Sequence, residues 1–247
     1  MKRVLLTGGP TNEYIDEVMK ITNMATGASA LTMAEAFSRL PDTEVTLIGA
    51  KSLRNHKQFS DQSYTYIPVE TTEDMDKALE KESSKPYDLV IHSAAVGDYT
   101  PQYSFRLEDM AAELAHKLQN TQITPEKILS VLTNPDCKVK DDGKISSYEP
   151  HLTVKLGLTK KLIGTLKERF PSARLIGFKL LDKVSKEQLI NTATELCRTN
   201  NVDYIVANDL SDINQGLRRC YLVNKDGYTG QEFTSNEDIF TFAASLL

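Results

Sequence analysis

The sequence of 247 residues has no tryptophan, only four histidines and only three cysteines. The cysteines, Cys137, Cys197 and Cys220, form no Cys-x-x-Cys pair and are odd in number, which indicates a reducing, cytoplasmic protein rather than a disulfide scaffold. The histidines lack metal-ligand spacing, so we expect no histidine-held metal. The first apolar run stops at Leu6, and no stretch reaches membrane-spanning length, so we expect neither a secretory leader nor a membrane anchor.

An excess of basic charge is also missing. The net charge is −5, with 40% hydrophobic and 26% charged residues. General binders of nucleic acid or acidic membranes usually carry surplus positive charge, so we expect neither kind of partner. The sequence has neither the GxxxxGK[ST] motif of P-loops nor the GxGxxG motif of dinucleotide-binding folds. What remains is an ordinary composition for a globular protein with a substantial core.

Apolar, strand-like segments alternate with amphipathic, helix-like segments along most of the chain. The predicted strands span residues 3–8, 44–48, 64–69, 88–93, 174–178 and 202–207, and the predicted helices span residues 28–40, 72–83, 160–170, 185–199 and 235–247. This alternation predicts an α/β fold with a Rossmann-like, doubly wound and mostly parallel sheet joined by right-handed crossovers. We expect residues 1–247 to form a single domain.

Two regions depart from this alternation. Residues 221–224 and the segment after Asp226-Gly227 predict a C-terminal hairpin with a two-residue turn. Residues 100–151 contain an amphipathic stretch at 105–118 and a short helix opened by Thr124, without the β-α repeat. An insertion of this length in a doubly wound fold usually has a function. We predict that it serves as a lid, a dimer contact or a substrate loop.

The first predicted strand ends in Gly8-Gly9-Pro10-Thr11. Glycines let a backbone approach an anion closely, and consecutive N–H groups can bind a phosphate. The alternative is a tight turn in which the glycines serve only the backbone angles. Ligands of open α/β sheets bind beyond the carboxyl ends of the strands, so this position favours phosphate binding.

A second polar segment, Asn23-Met24-Ala25-Thr26-Gly27, comes directly before the predicted helix at 28–40. The free N–H groups and the dipole of a helix N-terminus bind anions. Thr26 has two compatible roles open to it, as the N-cap of the helix and as a contact to an anion. If Asn23 is buried, nothing local requires an amide there, so we favour a contact with a ligand.

The strand predicted at 88–93 runs into Ser93-Ala94-Ala95-Val96-Gly97-Asp98. Small side chains there leave room for a flat base on the backbone. Asp98 offers a carboxylate of the kind that binds Mg²⁺ together with phosphates, and a turn or capping aspartate is the alternative. Asn208-Asp209 follows another predicted strand, where a site role and a capping turn are both open.

Several short motifs follow one another in an order that is more specific than any one of them. They are Thr7-Gly8-Gly9-Pro10-Thr11, Ile15-Asp16-Glu17-Val18, Ile21-Thr22-Asn23, Thr26-Gly27, Ser93-Ala94-Ala95-Val96-Gly97-Asp98-Tyr99, Gly143-Lys144-Ile145-Ser146-Ser147, Leu152-Thr153-Val154-Lys155-Leu156, Ile176-Gly177-Phe178-Lys179-Leu180 and Val206-Ala207-Asn208-Asp209. In this combination the chain resembles the phosphopantothenoylcysteine synthetases of coenzyme A biosynthesis, in their stand-alone form.

The resemblance implies a cytoplasmic homodimer that condenses 4′-phosphopantothenate with L-cysteine, using CTP or ATP with Mg²⁺. CTP is the favoured nucleotide. The substrate carboxylate would attack the α-phosphate, giving an acyl-nucleotide and pyrophosphate. The amine of cysteine would then displace the nucleoside monophosphate and form the amide. Positive charge from Mg²⁺ and lysine would neutralise the triphosphate.

The resemblance also implies roles for single residues. Asn23 corresponds to the asparagine that contacts the acyl group, and Lys144 corresponds to the lysine that supports the activation step. Without the resemblance, Lys144 would be read as a solvated loop lysine. Asp98 corresponds to the aspartate associated with nucleotide and Mg²⁺. The positions implied to line the same nucleotide-binding cleft are Ala94, Ala95, Phe178 and Asn208.

Two alternatives of other classes remain open at this point. A short-chain-type NAD(P) oxidoreductase would need a Tyr-x-x-x-Lys motif on a helix, where the two side chains share a face. The match here, Tyr221 to Lys225, falls in a predicted strand, and a GxxxGxG motif is missing. A non-catalytic, nucleotide-binding regulatory subunit is the second alternative. Release of pyrophosphate in the presence of phosphopantothenate, CTP and cysteine would distinguish the ligase from both.

Overall fold

The computed structural model describes residues 1–57, 59, 63–139 and 143–247. Along these residues the strands are β1 (Lys2–Gly8), β2 (Asn12–Tyr14), β3 (Lys20–Thr22), β4 (Thr43–Ala50), β5 (Thr65–Val69), β6 (Leu89–His92), β7 (Tyr99–Arg106), β8 (Leu152–Leu158), β9 (Arg174–Leu181), β10 (Tyr204–Asp209), β11 (Cys220–Asn224) and β12 (Gly227–Phe233). The helices are α1 (Ala28–Ser38), α2 (Thr72–Glu82), α3 (Leu107–Lys117), α4 (Pro125–Thr133), α5 (Leu166–Arg169), α6 (Lys186–Asn200), α7 (Leu210–Asn214) and α8 (Asn236–Ala244).

The chain divides into two compact units. Unit 1 comprises Met1–Thr11, Asn23–Val96 and Lys160–Leu247, and unit 2 comprises Asn12–Thr22 and Gly97–Thr159. The predicted insertion at 100–151 lies within unit 2. That residues 12–22 belong to the same unit as this insertion is not predicted from the sequence. Every helix among the described residues is too short or too polar to span a membrane.

Unit 1 contains an eight-stranded sheet with the order β12-β11-β10-β9-β6-β1-β4-β5. The strands from β5 to β10 in this order pair in parallel, and β11 and β12 add to β10 as an antiparallel pair. The chain leaves β1 towards β4 and β5, then returns to the other side of β1 at β6. The predicted doubly wound, mostly parallel sheet is confirmed. The C-terminal hairpin is confirmed too, because Asn224 pairs with Gly227 across a two-residue turn.

Hydrophobic side chains fill both faces of this sheet. In β1, Val4 and Leu6 pack on the face covered by α1 and α8, and Leu5 packs on the face covered by α2 and α6. All three are fully buried. Burial on both faces explains the continuous apolar run of the strand, since a parallel sheet has helices on each side. Each such side chain contributes about 2 kcal/mol through removal of its surface from water.

Polar side chains cap the N-termini of α2 and α6. The helix predicted at 72–83 starts at Thr72, and its N-cap is Thr71, which accepts a hydrogen bond from the Asp74 N–H at 3.0 Å. The Asp74 carboxylate accepts from the Thr71 N–H in return, which completes a capping box. Thr72 is the first helical residue, and its hydroxyl lies 3.0 Å from the hydroxyl of Thr11. Ser185, the first residue of the helix predicted at 185–199, is the N-cap of α6.

The helix predicted at 160–170 is wrong in part. The structure has a 3₁₀ turn at Leu162–Thr165 and then the single turn of α5. Gly164 lies inside the 3₁₀ turn, and glycine has a low helix propensity. A Cβ atom at Gly164 would lie 3.0 Å from the Asn200 side-chain oxygen, so this glycine also permits the close approach of α6.

Unit 2 contains strands that the sequence did not predict. β2 and β3 form a short antiparallel hairpin, and β7 pairs antiparallel with β8. The predicted amphipathic stretch at 105–118 divides here: its first two residues end β7, and α3 begins at Leu107. Phe105 pairs with Thr153 of β8 and packs with Met110 and Val131 in a small core. The predicted cap of α4 is confirmed, because Thr124 accepts from the Lys127 N–H.

Candidate active site

The carboxyl ends of β1 and β6 lie side by side where the strand order of the sheet reverses. Pairing continues past both strands, since the Ala95 N–H donates to the Gly9 oxygen at 2.9 Å and Pro10 bridges Ala95. The structure therefore brings the Gly8-Gly9-Pro10-Thr11 segment next to Ala94 and Ala95. A reversal of strand order at carboxyl ends is where open α/β sheets bind ligands.

Packing accounts for the glycines of this edge. Gly9 and Gly27 have φ values of 78° and 71°, a region that side chains rarely adopt. A Cβ atom at Gly27 would lie 2.4 Å from Leu53 Cδ2 and 3.0 Å from the Gly9 backbone, and one at Gly8 would lie 2.2 Å from the Ala30 Cβ. The four residues Gly8, Gly9, Pro10 and Thr11 are buried. These glycines thus serve the backbone angles and the approach of α1, and phosphate binding here stays a prediction.

The N-cap of α1 is Gly27, so of the two roles left open for Thr26 the structure does not show that of N-cap. Thr26 is exposed, and its hydroxyl accepts a long hydrogen bond of 3.4 Å from the Ala28 N–H. Its N-cap, being a glycine, has no side chain to accept from the helix, and among the described residues the first turn of α1 contains no acidic side chain. The N-terminal dipole of α1 therefore has no carboxylate to balance it within the helix, which suits an anion at this position.

Asn23 lies at the same edge, but it is exposed rather than buried. Its amide nitrogen donates to the carbonyl oxygens of Ala95 and Val96, each at 3.1 Å. The amide therefore has a structural use in this position, because it ties the segment before α1 to the end of β6. A contact with a ligand stays a prediction.

A buried polar pair that the sequence did not predict supports the end of β6. The Thr7 hydroxyl lies 2.8 Å from Nδ1 of His92, and the Ala94 N–H donates to that hydroxyl at 3.2 Å. The Thr7 hydroxyl has one donor and two acceptor sites, so besides accepting from Ala94 it can donate to a bare Nδ1 or accept from a protonated one, according to the His92 tautomer. Burial lowers the pKa of His92 to about 4, so the imidazole is neutral at physiological pH.

Phe178 and Asn208 lie on the neighbouring strands β9 and β10, and both are half-buried. Phe178 lies in the middle of its strand and packs against the core under α1 and α8. Of the pair Asn208-Asp209, it is Asp209 that acts as a cap, at the N-terminus of α7. The Ser211 hydroxyl and the Val184 N–H donate to its carboxylate and lower the pKa of Asp209 to about 2.

Asp98 and Lys144 belong to unit 2, and both are exposed. The Asp98 carbonyl accepts from the Thr159 N–H at 3.0 Å, just before β7 begins. Lys144 comes directly before Ile145, which is buried and donates its N–H to Asp16. Among the residues that the structure describes, no cluster of three or more His, Cys, Asp or Glu side chains could hold a metal ion.

The Tyr-x-x-x-Lys match does not form the motif of a short-chain oxidoreductase. Tyr221 lies in β11, and Lys225 lies in the turn that follows this strand. The two side chains thus do not share a helix face.

Comparison with known proteins identifies the family. Residues 1–136 match the model of the DNA/pantothenate metabolism flavoprotein C-terminal domain family. The chain belongs to this family. The crystal structure of the DNA/pantothenate metabolism flavoprotein from Streptococcus pneumoniae is 30% identical, with a TM-score of 0.80, and the alignment covers 99% of this chain and 97% of that one. The resemblance inferred from the sequence motifs is confirmed at the level of the family.

Other members of the family are longer than this chain. The coenzyme A biosynthesis bifunctional protein CoaBC of Thermococcus kodakarensis is 33% identical over 226 residues, which are 91% of this chain and 45% of that protein. The chain thus spans about half the length of the curated relatives it matches. A structure of mutant Cab2 in complex with phosphopantothenate-cysteine is 17% identical, with a TM-score of 0.66, and covers 99% of this chain and 85% of that one. At this identity the match shows the fold.

Proposed function

We propose that this chain is a phosphopantothenate–cysteine ligase that forms phosphopantothenoylcysteine from 4′-phosphopantothenate, L-cysteine and a nucleoside triphosphate. The observation that carries the proposal is the edge at β1 and β6, where the uncapped α1 N-terminus and the Ala94-Ala95 backbone meet at the reversal of strand order. The names of the relatives support it, since CoaBC is a coenzyme A biosynthesis protein and Cab2 was crystallised with phosphopantothenate-cysteine.

The first step of the proposed reaction joins a carboxylate to the nucleotide. A carboxylate oxygen of phosphopantothenate attacks the α-phosphorus, the bond to the bridging oxygen breaks, and pyrophosphate leaves. Both reactants are anions, so the step needs positive charge around the triphosphate. We assign this role to Lys144, and we assign nucleotide binding to the α1 N-terminus, Ala94 and Ala95. CTP is the preferred nucleotide in this proposal, and ATP is the second choice.

The second step transfers the acyl group to cysteine. The amine attacks the acyl carbon, the nucleoside monophosphate leaves, and the amine proton is released to solvent. Negative charge develops on the acyl oxygen, where a hydrogen-bond donor stabilises the transition state. We assign this donor to the amide of Asn23. In the structure the two N–H groups of this amide donate to the Ala95 and Val96 carbonyl oxygens, so in this proposal one of them exchanges its carbonyl partner for the acyl oxygen when the substrate binds.

Magnesium fits the residues present if the nucleotide supplies most of its ligands. Mg²⁺ is usually held by one or two carboxylates together with substrate phosphates and water. Asp98 offers one exposed carboxylate, and the described residues offer no acidic cluster that would form a complete metal site. When bound, Mg²⁺ would neutralise phosphate charge.

We further propose that the protein works as a cytoplasmic homodimer. Large apolar side chains are exposed on unit 2, including Ile123 and Leu129 with exposed fractions of 66% and 60%. Both fall within residues 100–151, for which a dimer contact is one of the predicted roles. Contiguous apolar patches mark protein–protein contacts, whereas single exposed apolar residues are normal, so the proposal depends on the predicted role of this region. Sedimentation velocity should give a dimer, and a monomer at micromolar concentration would contradict this part.

The deciding experiment measures pyrophosphate release by the purified protein with phosphopantothenate, cysteine and Mg²⁺ and each of the four nucleoside triphosphates in turn. We expect release with CTP, weaker release with ATP, and stoichiometric amide product. Omission of cysteine should leave an acyl-cytidylate that mass spectrometry detects. Neither a mixed anhydride nor an amide with any nucleotide would refute the ligase. An oxidoreductase or a regulatory subunit would release no pyrophosphate.

A further inference from the structure

The carboxylate of Asp16 joins two parts of unit 2 that are 129 positions apart in the sequence. Its Oδ1 atom accepts from the N–H groups of Val18 and Met19 at 2.7 and 2.6 Å. Its Oδ2 atom accepts from the N–H group of Ile145 at 2.9 Å. One oxygen thus organises the turn between β2 and β3, and the other holds the backbone directly after Lys144.

Asp16 is suited to this contact by its charge and its burial. It is 8% exposed, and Ile145 is 6% exposed. The N–H groups of Met19, Ile145 and Val18 lower the pKa of the Asp16 carboxyl, and the positive charge of Lys144 lowers it further. Hydrogen bonds to an ionised carboxylate are stronger than those between neutral groups.

At Gly143, which precedes Lys144, the backbone has few neighbours among the described residues. A cavity of about 340 Å³ lies beside it, lined by Tyr14, Ile15, Asp16, Glu17 and Gly143. Among the described residues, only the Glu17 carboxylate lies within 4 Å of a Cβ atom built at Gly143, at 3.7 Å. The Asp16–Ile145 bond fixes the backbone on the other side of Lys144.

We infer that Asp16 is a positioning residue for Lys144: by holding the Ile145 N–H, it fixes the backbone that carries the lysine side chain. The inference rests on the proposed function, because Lys144 has its role in acyl-nucleotide formation there. A displacement of about 1 Å in a reacting group can slow a reaction about 100-fold. Loss of the Asp16–Ile145 bond should therefore slow the first step and leave the transfer to cysteine unchanged.

Asp16→Asn separates the two uses of the carboxylate. An asparagine has one acceptor oxygen, which can still receive the Val18 and Met19 N–H groups. Its amide nitrogen would then face the Ile145 N–H, so two donors would meet. Asp16→Ser is a second variant, since serine can accept from the turn but is too short to reach Ile145. Glu17→Gln is the matched control, because it removes the neighbouring carboxylate charge and leaves the Ile145 bond in place.

The test combines single-turnover kinetics with amide hydrogen exchange. In Asp16→Asn we expect acyl-nucleotide formation to be about 10- to 100-fold slower, with cysteine transfer within about twofold of wild type. Exchange at Ile145 should become faster, while exchange in β1 and β6 stays as in wild type. In a Lys144→Gln background, Asp16→Asn should add no further slowing, because a residue that acts through Lys144 has nothing left to position.

The outcomes separate the inference from the proposed function. A wild-type protein that forms no acyl-nucleotide with any nucleotide refutes the ligase and, with it, the role of Asp16. If the wild type forms the intermediate and Asp16→Asn and Asp16→Ser both match its rate, only the role of Asp16 fails. If acyl-nucleotide formation in the double variant is slowed by the product of the two single-variant factors, Asp16 acts independently of Lys144. Such a general structural role would also overturn the inference.

Discussion

The hydroxyl oxygen of Thr7 and Nδ1 of His92 lie 2.8 Å apart at the carboxyl ends of two adjacent strands. The hydroxyl also accepts from the Ala94 N–H, so the imidazole, the threonine and the proposed nucleotide-binding backbone form one chain of hydrogen bonds. A protonated imidazole could no longer accept from Thr7. Protonation of His92 would therefore break or reverse the first hydrogen bond of this chain.

We expect His92 to make the protein less stable in mild acid. Its pKa is about 4 in the folded protein and 6.5 as a model value, so the unfolded chain takes up a proton first as the pH falls. Stability that is present above pH 6.5 is lost between pH 6.5 and 4. From pH 7 to 4.5 this amounts to about 2 kcal/mol of the free energy of unfolding.

Urea unfolding at pH 7 and pH 4.5 checks this expectation. Wild type should lose about 2 kcal/mol more than His92→Gln over this interval. His116→Gln is the control, since His116 is exposed on α3 and its replacement should leave the wild-type dependence intact. Equal pH dependence in His92→Gln and wild type would contradict the assignment.

Lys144→Gln should mainly slow acyl-nucleotide formation, by about 100-fold, because it removes positive charge from the developing transition state. Single-turnover quench experiments measure this step directly. Lys127→Gln, on the exposed surface of α4 in the same unit, is the matched control and should react at the wild-type rate. An unchanged activation rate in Lys144→Gln would remove the lysine from the mechanism.

Asn23→Asp should leave the acyl-nucleotide formed but poorly consumed, with cysteine transfer at least about 10-fold slower. The new carboxylate has no N–H to donate to the acyl oxygen. It also faces the carbonyl oxygens of Ala95 and Val96, which in the wild type accept from the Asn23 amide. Accumulated intermediate and its decay on addition of cysteine are the measurements. Asn120→Asp, in an exposed turn of unit 2, should behave as wild type. Transfer at the normal rate in Asn23→Asp would exclude the proposed role.

Gly27→Ala should destabilise the protein more than Gly216→Ala. Both residues have positive φ, 71° and 79°, so each alanine carries a similar backbone cost of about 1 kcal/mol. At Gly27 the new Cβ also meets Leu53 Cδ2 at 2.4 Å, whereas a Cβ built at Gly216 has no atom of the described residues within 4 Å beyond its chain neighbours. Each substitution lowers the free energy of unfolding, and the loss should be about 1–3 kcal/mol larger for Gly27→Ala than for Gly216→Ala because of overpacking against Leu53. Equal effects would mean that Leu53 moves aside without cost.

The sequence was sufficient to predict the features that depend on patterns within short segments of the chain. The alternation of strands and helices was enough for the doubly wound sheet, and parallel strands end at one edge, so Gly9 and Ala95 were expected near each other. β2 and β3 have three residues each, too few for a periodic signal. The bond between Asp16 and Ile145 depends on residues far apart in the chain, and no pattern within one segment encodes it.

The exposure of Asn23 shows a further limit of sequence reasoning. A polar residue in a small-residue segment was assigned to a ligand on the condition that it is buried, and the structure exposes it with a carbonyl partner in the same unit. Thr26 is a second example, because the N-cap role considered for it belongs to Gly27, whose backbone is left-handed. Both depend on how closely α1 approaches β1, which is a tertiary property.

The position of β6 between β1 and β9 has a consequence for synthesis of this protein on the ribosome. Leu89, Val90 and Ile91 in this strand have no exposed surface once the sheet is complete. About eighty residues must be translated after β6 before β9 emerges, which takes about 4–16 s at usual elongation rates. Throughout that interval the nascent chain presents an apolar strand with an unpaired edge, so aggregation during translation should be most frequent while residues 93–173 are made.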